Sequence, residues 1–194
     1  MNSKRILLIQ GHPDASEPHF CHALASSYAE GAADASHSVR HVNVATLDFP
    51  LLRSQKDFET GSVPASLKPV QDDIVWAEHI LFFFPLWAGD MPALLKGFIE
   101  QIYRPAFTGA SASHFAEKRL SGRSARVVVT MGMPALVYRW YFRAHSLKSL
   151  ERNILGMVGI APVQQTLIGM TGDMKAADAA KWLGKLKRLG QLAE

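Results

Sequence analysis

Three short runs constrain this chain more than anything else in it: RILLIQ (5–10), HILFFFP (79–85) and ARVVVTM (125–131). Each has the length of a strand and is nearly continuous in apolar residues. Side chains alternate across a strand, so a run of this kind must be buried on both faces, as in a parallel sheet covered by helices. Two more strand-like runs are SVRHVNV (38–44) and VQQTLIG (163–169). In the first, Val39, His41 and Asn43 alternate with Arg40, Val42 and Val44, which suits a peripheral strand. Helix-like stretches fill the intervals. Residues 19–35 carry Phe20, Leu24 and Tyr28 at helical spacing, and 64–79 is broken by Pro69. Residues 91–105 have Pro92 in the first turn, where a missing N–H costs nothing, and Pro105 just past the end. A long helix is predicted over 135–159 and a last one over 174–194, with Lys and Arg near its C-terminus.

Alternating strands and helices imply right-handed crossovers and an open, doubly wound α/β sheet. Five strands predict the flavodoxin-like order 2-1-3-4-5 with helices on both faces. The 194 residues suit one domain, 1–194, and there is no internal repeat. The segment 46–66 is expected to be a long irregular connection. An apolar content of 48% fits a globular core rather than disorder. No apolar run approaches the roughly 18 residues that span a bilayer. The N-terminal MNSKRILLIQGHPD lacks the long apolar region and cleavage site of a signal peptide. Cys21 is the sole cysteine, so no internal disulfide forms, and a reducing cytoplasm is the expected compartment.

The formal net charge is +4, divided unevenly. Residues 1–97 hold 7 Lys/Arg against 11 Asp/Glu, and residues 98–194 hold 14 against 6. A basic half can serve nucleic acid, a membrane surface or an anionic small molecule, or be a solvated surface. The basic residues are spread rather than clustered and no nucleic-acid motif is present, so nucleic acid is not expected as a partner. Membrane contact is expected to be peripheral at most.

In such a sheet, ligands bind outside the carboxyl ends of the strands, at the switch point between strands one and three. The loop after strand one has neither GxGxxG nor GxxxxGK[ST], which argues against an ordinary dinucleotide fingerprint and a P-loop. It carries Gly11, His12, Asp14, Ser16 and His19 directly before a helix, whose free N–H groups suit an anion. Ser16 is either a phosphate contact or a turn residue. His12, His19 and His22 are possible metal ligands, but no carboxylate or Cys cluster completes a known set, so no metal is expected. The loop after strand three supplies Leu86, Trp87, Ala88 and Gly89. Trp87 is either a wall for a planar cofactor or packs under another loop or at a dimer interface. The loop after strand four, Thr130 to Pro134, is small and Met-rich. Beyond it, Tyr138 and His145 are the groups suited to proton work, His more naturally. Arg139 and Arg143 either hold the 2′-phosphate of NADPH or are surface residues.

ILLIQGHPD, HFCHALA, FFFPLWAGDMPALLKGFIEQIY and VVVTMGMPALVY follow one another in register. Together they resemble the NAD(P)H quinone reductase (DT-diaphorase) family of flavodoxin-fold flavoproteins, from residue 5 to about 168. The resemblance implies a flavin, FMN or FAD, with NAD(P)H as co-substrate. It places His12 at the flavin phosphate or pyrophosphate, together with the turn and helix start at Ser16, His19, Phe20 and Cys21. The family often has Ser-Phe-Asn where this chain has His19-Phe20-Cys21. Pro85, Leu86, Trp87 and Ala88 would line the isoalloxazine. Thr130, Met131, Gly132 and Met133 match a Thr-Thr-Gly-Gly loop in part, the two methionines narrowing or reshaping the pocket. Tyr138 matches the family tyrosine at the flavin O2 edge, and His145 matches the catalytic histidine with a gap of one residue.

The activity so implied is a two-step, ping-pong reduction of a quinone-like small-molecule acceptor by a cytoplasmic homodimer. A regulatory flavoprotein ancillary to a membrane transporter is an alternative, motivated by the basic 139–152 face. A flavodoxin-like electron carrier is another, disfavoured by a pI of about 9.3. No GxSxG elbow supports a hydrolase.

Overall fold

The computed structural model describes residues 3–108 and 119–194. Its centre is one five-stranded, all-parallel sheet built from β1 (Arg5–Gln10), β2 (Ser38–Asn43), β3 (His79–Pro85), β4 (Ser124–Thr130) and β5 (Val163–Ile168), in the order β2-β1-β3-β4-β5. The three apolar runs are the three inner strands, and every residue of β3 is buried. Alternation explains why they had to be apolar throughout. Ile6, Leu8, Leu81, Phe83 and Val128 enter one core, while Leu7, Ile9, Ile80, Phe82, Phe84, Val127 and Val129 enter the other. Burying one such side chain contributes about 1.5–3 kcal/mol.

The first core lies under α1 (Phe20–Asp34) and α9 (Ala176–Leu192). These two helices approach so closely that a Cβ at Gly31 would collide with the Lys187 carbonyl oxygen, and one at Gly190 with the Tyr28 carbonyl oxygen. The second core lies under α3 (Lys68–Trp76), α4 (Ala93–Ile102) and the segment after β4.

The connections depart from the sequence reading in four places. The segment 46–66 is not irregular throughout: it holds the short helix α2 (Gln55–Thr60), whose Ser54 side chain accepts the Asp57 N–H at 3.0 Å. Pro69 does not break a helix but stands in the first turn of α3. Pro92 is the N-cap of α4 rather than a helical residue, and Pro105 opens a further short helix, α5 (Pro105–Thr108). The long helix over 135–159 does not exist as one piece. α6 (Ala135–Trp140) stops, and Arg143 (φ 55°) and Ala144 (φ 48°) take left-handed conformations. The chain resumes as α7 (His145–Lys148), a π-helical turn (Ser149–Leu155) and α8 (Gly156–Val158). Among the described residues no helix is long and apolar enough to cross a membrane.

Candidate active site at the switch point

β1 pairs with β2 on one side and β3 on the other, so the crossovers leave in opposite directions and a crevice opens above Gln10, Pro85 and Thr130. Three loops meet there. The middle one carries Trp87 two residues past the end of β3. Trp87 and Asp90 exchange both backbone hydrogen bonds at 2.9 Å, and the residues between them, Ala88 and Gly89, have φ of 48° and 82°. That is the two-residue type I′ pattern, which needs positive φ at both central positions. Ala88 in this conformation is strained by about 1–2 kcal/mol. The turn holds Trp87 up at the rim, 50% exposed, while Pro85 and Thr130 stay buried below it. Leu86, partly buried, donates its N–H to Thr130 O at 2.8 Å, tying the second loop to the third.

A cleft of about 250 Å³ opens beside this turn, lined by Ala88, Gly89, Met133, Tyr138, Phe142 and His145. It brings together residues from the second loop, the third loop and the α6–α7 corner. Tyr138 is 1% exposed, and its hydroxyl sits 2.7 Å from Ser146 Oγ while accepting the Leu147 N–H at 3.4 Å. His145 lies exposed at the mouth. Of the two loop methionines only Met133 lines the cleft; Met131 is 2% exposed within the core. Gly132 faces open space.

On the other side of Trp87 lies the first loop. The His12 ring stacks on His19 at 3.9 Å and meets the edges of His22 at 5.1 Å and Trp87 at 5.9 Å. Burial first, and then the neighbouring His19 charge, lower the His12 pKa, and the same two causes lower that of His22. Asp14 organises the outer part of the loop. Its Oδ1 accepts the Ser16 N–H at 2.8 Å and the Ser16 hydroxyl at 2.6 Å, and its Oδ2 lies 2.9 Å from His19 Nε2. The Ser16 hydroxyl, and then His19, hold the Asp14 carboxyl well below the usual carboxylate range. Ser146 is not singled out by the sequence, and Asp14 is read there only as a member of the loop, without a role. Asp-x-Ser ahead of a helix is the pattern of an Asx turn and was the available signal for Asp14.

At the start of α1, the His19 carbonyl takes the N–H groups of His22 and Ala23, leaving those of Phe20 and Cys21 as the open donors of the first turn. The Cys21 side chain turns inward: its thiol donates to Gln10 Oε1 at 3.4 Å, and burial pushes its pKa up to about 12. It is a packing residue whose contribution to the loop is its backbone. Phe20 is partly buried beside it.

A flat cleft, an adjacent half-exposed indole and an open helix end fit the ring and the anionic tail of a flavin. The side-chain donors of Ser16 and His19 are already engaged by Asp14, so the backbone N–H groups are the readier anion contacts. His12 stacks on His19 while His22 meets both edge-on, and among the described residues no group of His, Cys, Asp or Glu is placed to hold a metal ion.

Comparison with known proteins agrees with this architecture. A stretch of 87 residues is 30% identical to the ribosyldihydronicotinamide dehydrogenase-like protein traD of Penicillium crustosum, covering 41% of this chain but only 33% of that protein. An uncharacterized NAD(P)H oxidoreductase of Haemophilus influenzae is 23% identical over 84% of this chain and 82% of its own. Among solved structures, the NAD(P)H:quinone oxidoreductase of Methanothermobacter marburgensis superposes with a TM-score of 0.82 at 21% identity, covering 100% of this chain and 98% of that one. An FMN-dependent NADH-azoreductase of Bacillus anthracis, solved with FMN, gives 0.70 at 16% identity over 100% and 99% of the two chains. The family described as having the flavodoxin-like fold matches residues 4–189, and the chain belongs to that family.

Proposed function

We propose that this protein is a flavin-dependent NAD(P)H oxidoreductase that reduces quinone-like acceptors by two electrons in a ping-pong cycle. The observation that carries the reading is the cleft beside the Trp87 turn, where Tyr138 and His145 meet the ends of strands three and four. When bound, the flavin supplies the chemistry, taking a hydride from NAD(P)H and passing two electrons on.

The protein's own residues do the rest. The strained Ala88–Gly89 turn forms one wall of the cleft, with Trp87 at its base offering an indole for a ring to stack on, and Phe142 and Met133 form another. These walls exclude water and hold donor and acceptor in turn at one position, which is what a ping-pong enzyme needs from its pocket. Ser146 and the Leu147 N–H fix the Tyr138 hydroxyl. With Ser146 as donor in that pair, the phenol keeps its proton for the polar edge of the ring. His145, at the mouth, is placed to hold or deliver a proton to the departing acceptor. Backbone N–H groups of Phe20 and Cys21, with His12 beside them, receive the phosphate end. Leu136, Val137 and Tyr141 lie exposed next to the cleft and suit the face of a second copy in a homodimer. We read the enzyme as cytoplasmic.

The test is steady-state turnover of a soluble quinone with NAD(P)H. Parallel double-reciprocal lines on varying both substrates are expected. Intersecting lines would refute the ping-pong order, and absence of turnover with flavin bound would refute the activity.

A further inference from the structure

The α6–α7 corner is a wall with two sides. Tyr138, Phe142 and His145 face the rim cleft, while the intervening residues face a second cavity of about 720 Å³. That cavity is lined by Arg139, Trp140, Arg143, Ala144, Lys148 and Gln165. Three cations share it, no carboxylate lines it, and none of the three makes an ion pair among the described residues. The nearby acid, Glu151, is held elsewhere: its Oε2 accepts the Gln165 amide N–H at 2.6 Å. All three side chains are exposed, so water screens their mutual repulsion, and an anion entering between them is attracted by all three.

The backbone is bent to make this arrangement. Arg143 and Ala144 are consecutive non-glycine residues at φ 55° and 48°, and the Ala144 N–H closes the turn on the Tyr138 carbonyl at 3.0 Å. An uninterrupted helix would carry Lys148 onward, away from Arg139; the left-handed corner returns it to the same cavity. Strain of this kind persists where surrounding structure enforces it, commonly at binding sites. Trp140 stands 76% exposed at the edge, offering a flat face to a ring.

We infer that this cavity takes the phosphorylated adenosine half of NADPH, with the 2′-phosphate between Arg139, Arg143 and Lys148 and the purine against Trp140. This rests on the oxidoreductase reading above and deepens it: it names NADPH, not NADH, as the preferred electron donor. Guanidinium forks match phosphate oxygens in bidentate geometry, and a partly enclosed cluster of three recognises a dianion over a hydroxyl. The wall between the two cavities is the α6–α7 corner, a single layer of chain of about the 10–12 Å thickness of a helix with its side chains. An extended dinucleotide crosses that distance with its nicotinamide in the cleft.

The experiment is calorimetric titration of the purified protein with adenosine 2′,5′-bisphosphate and with 5′-AMP, which reads nucleotide binding without turnover. The bisphosphate is expected to bind at least tenfold more tightly, with the advantage shrinking as salt rises. The double variant Arg139→Gln/Arg143→Gln should abolish the advantage while keeping the wild-type melting midpoint, and Arg143→Lys should keep part of it. In the double variant the ratio of kcat/KM for NADPH over NADH should also fall at least tenfold. Equal binding of the two nucleotides by the wild type, or an advantage that survives the double variant, would overturn the inference. Flavin content, measured on the same preparation, separates the two levels of argument. A flavin-loaded protein without phosphate preference removes this site alone, whereas a protein that refuses flavin removes the oxidoreductase reading.

Discussion

Replacing Tyr138 by Phe tests the innermost part of the site. The Tyr138 hydroxyl is 2.7 Å from Ser146 Oγ, and both residues are buried, at 1% and 5% exposure. The same oxygen accepts the Leu147 N–H at 3.4 Å, a long bond that adds little. Tyr138→Phe removes the hydroxyl and strands the Ser146 hydroxyl without water. A buried polar group left unpaired costs about 1–3 kcal/mol, so a loss near 2 kcal/mol is expected. Ser146→Ala alone leaves the Tyr138 hydroxyl its contact with Leu147 and should cost about 1 kcal/mol. The double variant strands neither hydroxyl, so it should lose about 1–2 kcal/mol rather than 3, a coupling of about 1 kcal/mol or more. Urea unfolding of the four proteins measures this, with unchanged m-values as the check that the denatured state is the same. If the two single losses add within about 0.5 kcal/mol, the pair does not interact and Ser146 does not orient Tyr138.

Three further outcomes follow from other parts of the molecule. Burial first, then the charges of Lys4 and Arg126, lower the His79 pKa to about 4, so the folded protein holds this ring neutral while the unfolded chain protonates near 6.5. Stability is therefore lost as pH falls from about 6.5 to 4, by about 3 kcal/mol in all, and His79→Asn should take up about one proton fewer on unfolding across that window. Gly190→Ala drives a methyl into the Tyr28 carbonyl between α1 and α9; chemical denaturation should show a loss of about 1–3 kcal/mol, with the rim cleft untouched. Trp87→Ala, at a half-exposed position, should barely alter stability but raise the flavin Kd about tenfold, about 1.4 kcal/mol, when flavin fluorescence is titrated.

The sheet was legible because its signal is dense. Ile6 to Ile9, Ile80 to Phe84 and Val127 to Val129 are apolar at every position, and only burial on both faces accommodates that. Their order then placed the crevice, and with it Trp87. Helix limits were less legible because they depend on single backbone conformations. Nothing in the composition of Arg143 and Ala144 announces a left-handed corner, since neither residue favours it; tertiary packing imposes it, and the apolar spacing around them still reads as one helix. α2 was missed for the opposite reason. It buries no residue, so it has no apolar period, although Ser54 and Asp57 carried a capping signal.

At the site, sequence named Tyr138 and His145 and the structure brings them to one cleft. It did not name what orients them. Ser146 faces Tyr138 only because the corner turns the chain back. In the first loop, Asp14 is visible in the sequence, but its hold on both Ser16 and His19 is seen only in the structure. Met131 and Met133 are two residues apart, yet one enters the core and the other lines the cleft, a difference set by where β4 ends.

The central claim, that the crevice above β1, β3 and β4 holds a flavin, is tested most directly by flavin titration of the purified chain followed by anaerobic NADPH. One flavin per chain should bind, with its fluorescence quenched beside Trp87, and NADPH should bleach its colour in a single turnover before any acceptor is added. A protein that stays colourless in the presence of both FMN and FAD contradicts the account.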